Sequence, residues 1–192
     1  GGPGMILMAD PIVQAVESIK SDKTTPVILL SAQGRIYNQR EAEKLADFKE
    51  IILICGHYEG VDSRILDLVV TEEFSIGDYV LSGGEFAAMV LIDSLIRLLP
   101  GALGNVLGGL NDSHTTGLLQ YPHYTRPVEY RGHSVPEVLL SGNHQAICRW
   151  RHLQSLKATL RIRPDLIERA ILTTDDQGII DQLKEEKSQG NS

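Results

Sequence analysis

The 192-residue chain has 42% hydrophobic residues and a formal net charge of −7, enough apolar content for one domain with a small appendage and too acidic for indiscriminate nucleic-acid binding. No apolar run approaches about 20 residues and no charged n-region precedes an apolar h-region, so a cytoplasmic protein without a membrane partner is expected. Cys55 and Cys148 are far apart and outside any Cys-x-x-Cys spacing, and are expected to be reduced, structural, buried thiols.

In chain order, Asp10-Pro11 is a cap followed by a first-turn proline and predicts a helix to Lys20. Pro26 to Ser31 reads as a buried strand, Gln39 to Phe48 as a helix and Ile51 to Cys55 as a second buried strand. Continuous apolar strands alternating with helices predict a parallel sheet covered on both faces. A helix from Val61 to Leu68, strands at Val69 to Phe74 and at Tyr79 to Leu81, and a helix from Glu85 to Leu99 ended by Pro100 complete this α/β part. The last of these helices is apolar nearly all round and is therefore expected to be buried.

From Gly101 to Thr116 the composition shifts to Gly, Asn, Ser and Thr, the signature of a linker. Beyond it, Ser141-Gly142-Asn143 precedes a helix through Arg161 that stops before Pro164. Thr173 to Asp176 resembles a capping box opening a final helix, with a frayed tail expected after Glu185. Between Tyr121 and Arg163, seven basic residues (Arg126, Arg131, Arg149, Arg151, Lys157, Arg161, Arg163) face only Glu129 and Glu137. A basic segment on an acidic chain suits a local phosphate-binding surface or a solvated helix face.

Three glycine-bearing loops follow apolar strands: Ser31 to Gly34, Gly56 to Gly60 and Ser82 to Glu85. Ligands of open α/β sheets bind beyond the carboxyl ends of the strands, so these loops can converge on one nucleotide-like ligand. Gly83 and Gly84 would let backbone groups approach it closely. No Gly-x-x-x-x-Gly-Lys-Ser/Thr and no Gly-x-Gly-x-x-Gly occurs, which speaks against a phosphate loop and dinucleotide chemistry. The six histidines show no ligand spacing, and no metal site is expected.

Six ordered motifs then carry a resemblance across nearly the whole chain: Gly-Gly-Pro-Gly-Met from Gly1, Ser31-x-Gln-Gly34, Ile54 to Asp62 (Ile-Cys-Gly-His-Tyr-Glu-Gly-Val-Asp), Ser75 to Glu85, Pro122 to Pro127 and Val135 to His144. Together they resemble bacterial tRNA (guanine-N1)-methyltransferases, the TrmD family. The resemblance implies a SPOUT-type parallel sheet with a deep trefoil knot, a rare exception to unknotted topology. It implies the methyltransferase domain over 1–104, a flexible linker over 105–116 and a small helical tRNA-binding domain over 117–192. A homodimer acting on the tRNA anticodon arm is also implied, with active sites straddling the subunit interface.

Carried over by position, the S-adenosylmethionine pocket would be formed by Leu29, Leu30, Ser31, Gly56, Glu59, Ile76, Tyr79, Leu81, Gly83 and Gly84. The implied reaction is methylation of N1 of guanosine 37 where guanosine 36 precedes it. The implied base is Asp112, serving the partner subunit's site, and Arg97 would stabilise charge on guanine O6. Pro3 and Gly4 match the segment that recognises the preceding guanine. Arg126, Arg149 and Arg151 would hold the anticodon arm through its phosphates. Magnesium is implied as a stimulating ion, without ligands assigned by any motif.

The chain departs from the family pattern at Ala32 and Ala87, where prolines are usual, and at Gln120, where an aspartate is usual, leaving Asp112 as the better base candidate. The family also has a strand and a helix ahead of the Gly-Gly-Pro-Gly motif, so an N-terminal part is expected to be missing here. A ribose 2′-O-methyltransferase of the same fold, and a catalytically silent RNA-binding module, stay open as other readings.

Overall fold

The computed structural model describes residues 4–102 and 112–189, with side chains to 186. They belong to two compact units, Gly1–Gly104 and Asn105–Ser192. Pro3 and most of the expected linker, up to Asn111, lie outside the described residues.

The first unit is a mixed α/β structure built from α1 (Ala9–Ile19), β1 (Val27–Ile36), α2 (Gln39–Ala46), β2 (Ile52–Cys55), α3 (Arg64–Leu68), β3 (Glu72–Ser75) and α4 (Glu85–Ile96). The three strands form a parallel sheet in the order β2-β1-β3. Central β1 is buried on both faces, Val27 to Leu30 being no more than 4% exposed, which is why its sequence is a continuous apolar run. Its alternation sorts the core into two. Ile28 and Leu30 pack with Phe74, Leu45 of α2 and Ala87, Ala88 and Leu91 of α4. Val27 and Leu29 pack on the other face with Val16 of α1, Ile54 and Ile65 of α3.

Strand β1 runs further than its apolar core. Leu30 and Arg35 both pair with Phe74, so the residues between them bulge out of the ladder, which resumes at Arg35 and continues with Ile36 opposite Ser75. The Ser31 to Gly34 loop is therefore an excursion within a strand rather than its end. Gly34 is required there by close approach, because a Cβ would lie 2.5 Å from the Phe74 backbone. Arg35 then ties three elements together, 2.9 Å from Glu41 of α2, 2.9 Å from Glu72 of β3 and 4.4 Å above the Phe74 ring. Its hydrogen bond holds the Glu41 carboxyl below the usual range.

Other expectations change as well: α1 begins at Ala9 with Met8 at its cap, so Asp10 lies inside the first turn instead of capping the helix. Tyr79 to Leu81 is not a strand; the chain after Ser75 bends back on itself instead of pairing. The helix expected over Glu85 to Leu99 ends at Ile96 and is buried only at Ala87, Ala88 and Leu91, while Phe86, Met89, Val90, Ile92 and Ile96 are exposed. Its all-round apolarity marks a face that the described residues do not cover. Neither cysteine is fully buried: Cys148 is exposed and Cys55 half-buried, both as free thiols.

The second unit contains a two-stranded antiparallel ribbon, β4 (Glu129–Tyr130) with β5 (His133–Ser134), and helices α5 (Glu137–Leu140), α6 (His144–Ile162), α7 (Pro164–Ile167) and α8 (Thr174–Gln189). Asn143 caps α6 by accepting the Ala146 N–H at 3.1 Å. At the start of α8, Thr173 and Asp176 form a reciprocal box: the Asp176 N–H donates to Thr173 Oγ1 and the Thr173 N–H to Asp176 Oδ2. The helix continues to Gln189, past the point where fraying was expected. Leu118, Leu156, Ile167 and Ile180 form the core, and fully buried Thr159 accepts the Leu119 N–H at 2.9 Å.

Asp176 also bonds His152 of α6 at 2.5 Å. Burial pushes its carboxyl up, but the His152 and Thr173 hydrogen bonds outweigh that and leave it below its ordinary value. A depressed carboxyl contributes stability that is complete above its unfolded value and lost as pH falls through its folded one. Urea titrations followed by Trp150 emission should therefore show stability falling below about pH 4. Asp176→Asn should flatten that slope.

Candidate functional site

The bulge of β1 and the carboxyl ends of β2 and β3 open onto a cavity of about 430 Å³. All ten residues expected around a methyl donor line it: Leu29, Leu30 and Ser31 from β1, Gly56 and Glu59 after β2, and Ile76, Tyr79, Leu81, Gly83 and Gly84 after β3. Three segments distant in sequence meet here because the parallel strands carry the β1 bulge and the loops after β2 and β3 to the same edge of the sheet.

Each loop is fixed by specific contacts. The Ser31 hydroxyl donates to Glu73 at 2.6 Å and accepts the Gln33 N–H at 3.0 Å, bracing the β1 excursion. In the second loop, Tyr58 adopts φ 59°, a conformation rare for a bulky side chain and frequent where a site holds strain. In the third, Ser75 Oγ both donates to the Gly77 carbonyl and accepts its N–H. The Tyr79 ring folds over Gly77, where a Cβ would lie 2.5 Å from the ring, and Tyr79 Oη donates to the Ile76 carbonyl.

Two glycines close the loops on each other. The Gly84 N–H donates to the Gly56 carbonyl at 2.9 Å, and a Cβ on Gly84 would stand 2.7 Å from Cys55 Cα. His57 and Gly83 form an antiparallel bridge, over which His57 Nε2 lies 3.2 Å from Glu85 Oε1. Burial, with the Glu85 charge nearby, raises the Cys55 thiol, which keeps it protonated and unreactive.

Gly4 adjoins this cavity. It has φ 106°, its missing side chain leaves the space that Glu59 occupies, and the Glu59 N–H donates to the Met5 carbonyl at 3.0 Å. Leu7 and Val61 continue the contact as a parallel bridge. Gly4 and Glu59 are thus immediate neighbours.

Arg97 is the exposed C-cap of α4, its N–H directed to the Asp93 and Leu95 carbonyls. Asp112 is half-buried in the second unit and its carbonyl accepts the Thr115 N–H at 3.3 Å. Arg126 is exposed on the segment before β4; Arg149 and Arg151 are exposed on α6, with Arg151 stacked 4.9 Å from the Tyr121 ring centre. Among the described residues no cluster of His, Cys, Asp or Glu is arranged to hold a metal ion, and no helix is long and apolar enough to cross a membrane.

Glu73, His57 and Tyr58 also line the cavity and were not singled out from the sequence. Glu73 had a signal: a carboxylate inside the strand expected over Val69 to Phe74. Among the described residues its carboxylate meets one donor, Ser31 Oγ, leaving capacity for a ligand donor.

The sequence matches the family profile of tRNA (guanine-1)-methyltransferase TrmD over residues 1–169. The chain belongs to the TrmD family of tRNA (guanine-N1)-methyltransferases. Its TrmD relatives include tRNA (guanine-N(1)-)-methyltransferases from Halalkalibacterium halodurans, 53% identical over 97% of this chain and 77% of the relative, and Dehalococcoides mccartyi, 51% identical over 98% and 77%. That from Geobacter metallireducens is 50% identical over 96% and 76%. The TrmD activity, methylation of guanine N1 in tRNA, is accordingly the activity of this protein.

The glycines of this TrmD cavity should differ in tolerance. Gly84→Ala forces apart backbone at Cys55 and should cost the fold about 1–3 kcal/mol in urea unfolding. At Gly83 the nearest atoms belong to the Glu85 and His57 side chains, which can move. Gly83→Ala should cost less than about 1 kcal/mol.

Proposed function

We propose that the cavity binds S-adenosylmethionine and that the enzyme transfers its methyl group to N1 of guanosine 37 in tRNA, preferring guanosine at 36. The observation that carries this reading is the convergence of the ten cofactor candidates on one cavity, with Gly4 of the proposed guanosine 36 contact against Glu59 of its wall. The cavity suits an adenosine-containing donor: Leu29, Leu30, Ile76 and Leu81 offer apolar surface for a ring face, and the glycine-lined turns expose backbone groups to its polar edges. A SPOUT knot formed by these loops, and the domain division at the linker, belong to the same reading.

S-adenosylmethionine, when bound, supplies an electrophilic methyl on a sulfonium. Guanine N1 carries a proton and offers an attacking lone pair only when that proton leaves. Asp112, from the partner subunit, accepts it as general base. Deprotonation places negative charge on O6, which the Arg97 guanidinium stabilises. Arg126, Arg149 and Arg151 hold the anticodon arm by its phosphates. Magnesium acts as an accessory ion, with no ligand set proposed.

The exposed apolar side of α4 supports a homodimer. Phe86 is 67% exposed and Met89 63%, values that suit an interface better than a solvent-facing helix. The enzyme is placed in the cytoplasm, where its tRNA substrate resides.

Calorimetry should detect S-adenosylmethionine binding to the chain, and unmodified tRNA should accept the methyl group, with the rate falling when guanosine 36 is replaced. Asp112→Asn should lower kcat about 10²- to 10⁴-fold with cofactor binding retained. Full activity in that variant would remove Asp112 from the mechanism. Phe86→Asp should yield monomers in sedimentation, and an unchanged oligomeric state would exclude α4 as the interface.

A further inference from the structure

Residues 121–124 of the second unit meet Trp150 and Arg151 of α6 in a cluster of aromatic rings and a guanidinium group. Tyr121 and His123 have ring centres 5.0 Å apart and tilted by 44°; Tyr124 and Trp150 of α6 lie 6.3 Å apart and tilted by 53°. Arg151, next to Trp150, stands 4.9 Å over the Tyr121 ring, and Arg131 stands 5.3 Å over that of Tyr130. Aromatic residues that merely anchored this segment to α6 would be buried by doing so. Instead Tyr124 remains 48% exposed, while Tyr121 and Trp150 are half-buried. The tilts matter as well, because rings that do not stack on each other keep faces available to another flat group.

The chemistry of the cluster selects its ligand. Rings beside a guanidinium plane offer stacking and cation–π attraction to a nucleobase, while the exposed Arg126 and Arg149 add positive charge to the same unit. Bases inside a duplex present no free face, so the ligand is an unpaired one. We propose that Tyr124, Trp150 and the Tyr121–Arg151 pair form a stacking platform for an unpaired loop base of the tRNA. This rests on the reading that the second unit carries the anticodon arm, and adds to its phosphate contacts a contact that senses whether the bases are free.

Trp150 is the single tryptophan of the chain and reports on the platform directly. The full chain is titrated with an RNA stem-loop of anticodon-arm sequence, and with the same stem-loop carrying abasic sites throughout its loop. The intact loop should quench Trp150 emission; the abasic loop, which keeps every phosphate, should bind about tenfold more weakly and quench little. Tyr124→Leu should weaken binding of the intact loop about tenfold, leave the abasic loop unaffected and leave the melting temperature unchanged, while Tyr124→Phe recovers the affinity. Equal binding and quenching by the two loops would overturn the platform even if Tyr124→Leu failed to fold. Undiminished stem-loop affinity in an Arg126→Glu, Arg149→Glu variant would overturn the underlying reading and the platform with it. If the arginine variant loses affinity while Tyr124→Leu does not, phosphate contact stands and stacking falls.

Discussion

The first unit depends on a backbone contact that tolerates no side chain. Gly84 donates to the Gly56 carbonyl across the edge of the sheet, and its bare Cα sits against Cys55. That contact starts α4, seats Ala87, Ala88 and Leu91 on the sheet, and joins the loops after β2 and β3. Without it the cavity would have separate walls instead of one rim. Close packing of backbone on backbone is available only to glycine, so the sequence requirement follows from geometry before any ligand is considered.

The other wall obeys a related constraint. The excursion of β1 at Ser31 to Gly34 leaves the ladder after Leu30 and rejoins it at Arg35, with Phe74 as partner on both occasions. Pairing on both sides of the bulge anchors its ends, and Ser31 braces its middle through Glu73 and Gln33. A loop held in this way presents its backbone to a ligand with little entropy left to lose on binding, which is what preorganisation means energetically.

Much of this was legible in the sequence. The apolar runs at Val27 to Leu30 and Ile52 to Cys55 and the Thr173–Asp176 box are local signals with local causes, and each forms as expected. The convergence of the three loops also followed from parallel topology. What was not legible depended on partners distant in sequence. Tyr79 to Leu81 has the composition of a strand, but a strand needs a neighbour, and among the described residues none pairs with it. The β1 bulge arises because Gly34 meets the backbone of Phe74, forty residues on. For α4, composition reported apolarity correctly and could not say whether core or another surface would cover it. His57 and Glu73 escaped notice because their significance is positional: each stands beside a residue, Gly83 or Ser31, whose role was easier to read.

Helix α4 shows how closely the unit couples its parts. Its cap Gly84 and its Ala87 line the cavity, its inner side completes the sheet's core, its outer side is apolar and exposed, and its final turn leads into Arg97. Four duties on twelve residues leave the helix little freedom to drift. A substitution that improves one surface shifts the axis on which the others are mounted, so sequence change here is expected to come in compensating sets, whereas α1, whose outward side is polar, can vary one position at a time.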